Sequence, residues 1–191
     1  MIKTKTYDKM EVSLAEVLCF REKKASVQLK MLEECSDGIV VSLGMNIPGP
    51  IKCTPLIEEA FYAGIQELEE VIERPGREIL KKTVLKERAG CAAVYLVKEA
   101  DGMQMKQEMI LLEKSHMMGR IWDIDVIGKE GVISRKSVGA QGRKCFLCGL
   151  DAKVCGRNRS HGIGELQTRT AEIILKWKTG QEGQVKGEHI P

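Results

Sequence analysis

A chain of 191 residues is long enough for one domain with a real core. Its 43% hydrophobic and 30% charged residues are ordinary for a globular protein, and no run approaches a membrane span. Only 4% of residues are aromatic and the net charge is +3, which argues against a nucleic-acid binder built on stacking platforms and against a strong global field.

Met1-Ile2-Lys3-Thr4 leads into polar sequence with no apolar segment behind it, so no export signal is expected. Seven cysteines in such a chain read as reduced thiols or metal ligands rather than a disulfide frame, and the expected compartment is the cytoplasm.

Ser13 predicts the start of a helix from Leu14 to about Glu34, with Leu14, Val17, Leu18, Val27 and Leu29 as its apolar positions and Arg21 to Lys24 as a charged stretch. Ile39 to Ile47 reads as a β-branched strand. Pro48-Gly49-Pro50-Ile51-Lys52 is a rigid loop, after which Thr54 and Pro55 open a second helix. The stripe of that helix is Ile57, Phe61, Ile65, Leu68 and Ile72, and it ends before Pro75-Gly76. Ile79 to Leu85 and Cys91 to Val97 read as strands. Met103 to Lys114 reads as a helix, with a strand as the alternative. A strand follows from Ile121 to Ile127, then a hairpin turn at Gly128 to Gly131 with Val132 to Ser134 pairing back. Residues 138 to 161 form a basic, cysteine-rich loop. A last helix carries Ile163, Leu166, Ile173, Ile174 and Trp177, and residues 180 to 191 are expected to be a flexible tail. The fold class is α+β, a single domain with one mixed β-sheet covered by helices.

Three constellations carry chemistry. The first is the Asp123-x-Asp125 pair. In a strand, alternate residues share a face, so these two carboxylates stand side by side, opposite Trp122, Ile124 and Val126. Two adjacent carboxylates repel unless a cation or proton lies between them, and Mg²⁺ suits such a pair when substrate phosphates complete its shell. An ordinary half-solvated strand shows the same alternation. Just upstream, Gly119 permits close backbone approach to a phosphate and Arg120 offers a planar cationic fork. His116 is either a proton shuttle, a phosphate donor or a satisfied structural residue. Between Gly119 and His161 nine basic residues face four acidic ones, which suits a polyanionic ligand.

The second constellation is Lys52 beside the helix that Thr54 caps, either an anion site or a stiff connector. The third is Cys145-x2-Cys148-x6-Cys155-x5-His161, whose ligand types suit a structural Zn²⁺. A buried thiol cluster and a redox pair remain as alternatives. Arg143, Lys144, Arg157 and Arg159 flank these cysteines, so the loop is also a candidate phosphate binder.

Three blocks in order, Pro48 to Lys52, Ser115-His116-x-x-Gly119-Arg120-x-Trp122-Asp123-Ile124-Asp125-Val126, and Arg143-Lys144-Cys145-x-x-Cys148-x6-Cys155-x-Arg157-x3-His161, resemble one family. Arg21-Glu22-x5-Gln28 fits it too. The match is to the apo-citrate lyase phosphoribosyl-dephospho-CoA transferases, also called holo-citrate lyase acyl-carrier-protein synthases, over about residues 11 to 178.

The resemblance implies one transferase domain over 1–191. Its substrate is 2′-(5″-triphosphoribosyl)-3′-dephospho-CoA, its acceptor a serine of the citrate lyase acyl carrier protein (γ subunit), and its leaving group diphosphate. It implies Mg²⁺ on Asp123 and Asp125, phosphates held by Gly119 and Arg120, and Lys52, Arg143 and Lys144 as candidates for the departing diphosphate. Neither a membrane nor a nucleic acid is an expected partner. The Gly-x3-Asp-x-Asp layout also resembles, more loosely, nucleotidyltransferases of polymerase-β type. Those carry a third carboxylate, for which Glu113, Glu130, Asp151 and Glu165 are the unplaced candidates. A competing reading is a zinc-stabilised basic module that binds nucleic acid.

Overall fold

A computed structural model describes residues 11–98 and 100–187; Met1 to Thr4 and the last four residues of the expected tail lie outside the described residues. Helix α1, Leu14–Glu34, begins in a closed capping box. The Ser13 hydroxyl accepts from the Glu16 amide at 3.2 Å, and the Glu16 carboxylate accepts from the Ser13 amide at 2.8 Å. Its buried face differs from the expected stripe. Phe20, Gln28 and Met31 are buried with Val17 and Val27 beside them, whereas Leu14, Leu18 and Leu29 are exposed. The inward face contains polar members, Lys24 and Gln28, which a reading by hydropathy alone discards.

Strand β1, Ile39–Met45, leads through the Pro48 loop to helix α2, Pro55–Ile72. Thr54 caps α2 by accepting from the Ile57 amide at 3.2 Å, and all five residues of the expected stripe are buried. Strands β2, Glu78–Glu87, and β3, Gly90–Lys98, form a hairpin. The ambiguous segment is a helix, α3, Gly102–Ser115, because the Asp101 carboxylate accepts from the Met103 amide at 2.8 Å and nucleates its first turn. A 3₁₀ turn, Met117–Arg120, delivers the chain into β4, Trp122–Gly128, and the short β5, Gly131–Val132, pairs back. Inside the cysteine-rich loop lies a short helix, α4, Ala152–Asn158, again capped by an aspartate, Asp151. Helix α5, Ile163–Gly187, runs on past Gly180.

The five strands lie in the order β2-β3-β1-β4-β5, and every neighbouring pair is antiparallel. The expected mixed sheet is therefore an antiparallel one. The connections explain the difference. Each helical crossover, β1-α2-β2 and β3-α3-β4, joins two strands of like direction but leaves one position between them, which a strand of opposite direction fills. This is the split βαβ arrangement of ferredoxin-like cores.

The sheet separates two apolar layers. Val41, Leu43, Tyr95, Val97, Trp122, Ile124 and Val126 face α2, α3 and α5, while Val40, Val94, Leu96 and Ile127 face α1. Trp122 anchors the first layer: it is fully buried and its indole N–H donates to the Ala60 carbonyl at 3.1 Å. Burial of a large side chain of this kind contributes about 1.5–3 kcal/mol. Because Trp122 faces inward, its neighbours Asp123 and Asp125 stand on the α1 side of β4.

Candidate active site

Asp123 and Asp125 share the α1 face of β4, opposite Gly44 and Ser42 of β1 in the ladder. Each has a cation near it. Lys24 Nζ of α1 is 3.7 Å from Asp125, and Arg143 Nη1 is 3.6 Å from Asp123. The Asp123 side chain is 53% exposed and that of Asp125 35%, so both open to solvent. Asp123 lines a cleft of about 360 Å³ between α1 and the sheet, with Arg21, Lys24, Gly44, Asn46 and Lys52. Lys52 donates to the Ile47 carbonyl, and burial, helped by Arg21, lowers its ammonium pKa.

Arg143 belongs to a second group at the outer edge of β4. Among the described residues no strand covers that edge at Ile124. Instead the Glu113 carboxylate of α3 accepts from the Ile124 amide at 3.3 Å, and Lys106 donates to the Ile124 carbonyl at 2.9 Å. Glu113 is buried and receives both Arg135 and Arg143. Its oxygens are thus engaged by two guanidinium groups and an amide. Burial lowers the pKa of Lys106, against the pull of Glu113 and Asp125.

His116 and Gly119 lie elsewhere. The His116 ring stacks on Trp122 at 4.3 Å, on the side of the sheet away from the aspartates. Its Nδ1 accepts from the Met118 amide at 3.0 Å, which caps the 3₁₀ turn and fixes the neutral Nε2–H tautomer; burial lowers its pKa, with Glu67 opposing. Gly119 is buried and its amide donates to the His116 carbonyl at 3.0 Å. A Cβ at Gly119 would come within 2.2 Å of the Glu113 carbonyl oxygen, so glycine is required where the turn crosses the end of α3. Arg120 donates to the Lys144 carbonyl, and burial followed by Arg143 lowers its pKa. Lys144 and Arg157 are exposed and stand outside the carboxylate cleft.

Cys145, Cys148, Cys155 and His161 do converge, their ligand atoms all within 4.8 Å of one another. Cys148 and Cys155 sulfurs are 3.5 Å apart, and His161 Nε2 is 3.3 Å from Cys148. A tetrahedron with metal–sulfur bonds of about 2.3 Å has edges of about 3.8 Å, so the group has the size of a Zn²⁺ site. Local backbone builds it. Gly149 turns the knuckle with φ 73°, and Arg159, left-handed at φ 48°, reverses the chain after α4 so that His161 returns to the cysteines. Burial raises the Cys145 thiol, but the amides of Cys148 and Leu147 together with the Cys148 and Cys155 side chains outweigh it and bring it down to about 7. Among the described residues this is the one such group of three or more ligands, so Asp123 and Asp125 stand as a pair.

The structure thus places Lys52 in the cleft with Asp123, sets Asp125 and Arg143 beside it, and leaves His116, Gly119, Arg120, Lys144 and Arg157 outside the cleft. Arg21 and Lys24 as cleft residues, and Glu113 as a junction, were not assigned from the sequence. Their signal was present: Val17, Phe20, Arg21, Lys24, Gln28 and Met31 recur at helical spacing, so two cations interrupt an otherwise inward stripe.

The structure is thus an α+β fold with a carboxylate pair beside a cleft lined by Arg21, Lys24 and Lys52. The family model for "Apo-citrate lyase phosphoribosyl-dephospho-CoA transferase" matches residues 12–177, and the chain belongs to that family. A probable apo-citrate lyase phosphoribosyl-dephospho-CoA transferase of Streptococcus pyogenes serotype M18 is 36% identical over 167 residues, 85% of each chain. One of Vibrio cholerae serotype O1 is 29% identical over 165 residues, 86% of this chain and 92% of the relative. Protein CitXG of Leuconostoc mesenteroides is 31% identical over 156 residues, which is 81% of this chain but 33% of that longer protein. Membership makes the chain a transferase of nucleotidyltransferase type and sets aside the reading as a nucleic-acid module. No helix among the described residues is long and apolar enough to cross a membrane.

Proposed function

We propose that this chain transfers the 2′-(5″-triphosphoribosyl)-3′-dephospho-CoA prosthetic group to a serine of the citrate lyase acyl carrier protein (γ subunit), in the cleft between α1 and β4. The observation that carries the site is the pairing of Asp123 and Asp125 on one face of β4, with Arg21, Lys24 and Lys52 lining the cleft beside them and Arg143 reaching Asp123. In the reaction the serine oxygen bonds to the phosphorus next to the ribose and the hydroxyl gives up its proton. The bond from that phosphorus to its bridging oxygen breaks, and diphosphate departs with that oxygen.

The four cations hold the triphosphate and its leaving group. Arg143, fixed at its other end by Glu113, presents a preset guanidinium to the reacting phosphate. Mg²⁺ fits the aspartate pair: the donors are oxygens only, both open to solvent, and the buried Ser42 hydroxyl beside Asp125 has no partner of its own. Bound there, Mg²⁺ would neutralise charge on the triphosphate oxygens. The carboxylate pair on β4 supports reading this part as nucleotidyltransferase-like, by site rather than by sheet order. A structural Zn²⁺ on Cys145, Cys148, Cys155 and His161 would hold the basic loop in place, and free thiols throughout the described chain suit the cytoplasm.

The test is to incubate the protein with apo carrier, the triphosphoribosyl substrate and Mg²⁺, and to weigh the carrier by mass spectrometry. The carrier gains the mass of the prosthetic group, and Asp123→Asn slows the gain by about a thousandfold with thermal unfolding unchanged. Absence of any gain, with substrates shown to be active, would sink the assignment.

A further inference from the structure

A second cavity, of about 720 Å³, lies beneath the Cys/His loop and shares Asn46 and Pro48 as a wall with the carboxylate cleft. Its character is different. Phe146, Ala152, Ile163 and Leu166 give it an apolar floor, Arg120, Arg143 and Arg159 ring it, and it contains no acidic residue. Arg143 belongs to both spaces, since it lines this cavity and reaches Asp123. The floor is held in place from two sides. Leu166 and Ile163 belong to the first turn of α5, and a Cβ on Gly49, in the loop just beyond the shared wall, would touch Gln167 of that helix.

We infer that this cavity is the subsite for the dephospho-CoA arm of the substrate, with the adenine on the apolar floor and the 5′-diphosphate on the arginines. The inference rests on the transfer reading and extends it. A triphosphate needs only cations, and the cleft beside Asp123 supplies them. A purine needs an apolar face beside cations with no carboxylate among them; the second cavity offers Phe146, Ile163 and Leu166 next to arginines, whereas the first has Asp123 in its wall. The arginines suit a diphosphate because each offers a planar fork of donors, and no carboxylate lines the cavity wall. The adenosine and the triphosphoribosyl unit are joined covalently, so their subsites must adjoin, as the two cavities do through Asn46, Pro48 and Arg143.

Titration calorimetry on the full chain with 3′-dephospho-CoA and, separately, inorganic tripolyphosphate tests this. Leu166→Glu and Phe146→Ala should each weaken dephospho-CoA by about tenfold or more and leave tripolyphosphate within about twofold, while Arg21→Ala should do the reverse. Leu166→Met should bind as the parent does. Phe146 lies half-buried in a loop, so Phe146→Ala decides the matter if Leu166→Glu fails to fold. Unchanged dephospho-CoA affinity in these variants, or an equal loss for both probes, overturns the subsite; so does a loss seen only for the apo carrier protein. The two readings separate cleanly. Parent protein that loads the carrier while Leu166→Glu keeps the parental KM removes the subsite and spares the transfer, whereas selective dephospho-CoA binding without loading keeps the subsite and removes the transfer.

Discussion

Gly119 shows how one position joins sequence to site without touching chemistry. The turn that starts β4 passes so close to the end of α3 that any side chain would press on the Glu113 backbone. Relief would have to come from moving the helix that carries Glu113, or the strand that carries Asp123. Gly119→Ala should therefore destabilise the fold by about 3 kcal/mol, the upper part of the range for overpacking, and a urea titration reads it directly. Transfer activity should fall with it even at temperatures where the variant is folded, because the strand origin shifts. Stability within about 0.5 kcal/mol of the parent would show that the turn has slack, and that the glycine serves the ligand instead.

At the scale of elements, α3 substitutes for a missing strand. Glu113 and Lys106 satisfy the Ile124 amide and carbonyl, and Glu113 also fixes Arg135 and Arg143. Breaking a buried ion pair by removing one charge costs about 3–5 kcal/mol, so Glu113→Gln should lower the urea midpoint markedly and release Arg143 from its aim at Asp123. The expected kinetic sign is a loss in kcat larger than any rise in KM, since the proposed reaction puts Arg143 at the reacting phosphate. A variant with parental kcat would remove Glu113 from the positioning role.

Much of this level was legible from sequence. Ser13, Thr54 and Asp-x-Asp marked their elements because caps and strand alternation are local. The stripe of α1 was not, because its inward face is defined by what the cleft needs, Arg21 and Lys24, as well as by hydropathy. The sheet direction and the Glu113 junction were not, because both depend on which strands meet across long separations. A lone histidine in sequence does not reveal its partners, and in the structure the His116 ring is a cap stacked on Trp122.

For the whole molecule, the Cys/His group fastens the segment after β5 to the start of α5, whose Ile174 is buried in the main core. Elemental analysis should find about one zinc per chain, and chelation should lower the melting temperature by about 5 °C or more. Cys148→Ser should show the same loss and no further response to chelator. A melting temperature indifferent to chelation in zinc-free protein would return the four residues to a plain thiol cluster. The borders of the sheet carry a different consequence. On one side β4 is closed by buried charges from α3, and on the other β2 presents Lys81, Lys82 and Lys86 and a bulge near Ile79. Charged and irregular margins of this kind resist the addition of a foreign strand. The sheet is thereby guarded against self-association along its length, and a visiting protein has to be met by side chains rather than by a shared backbone ladder.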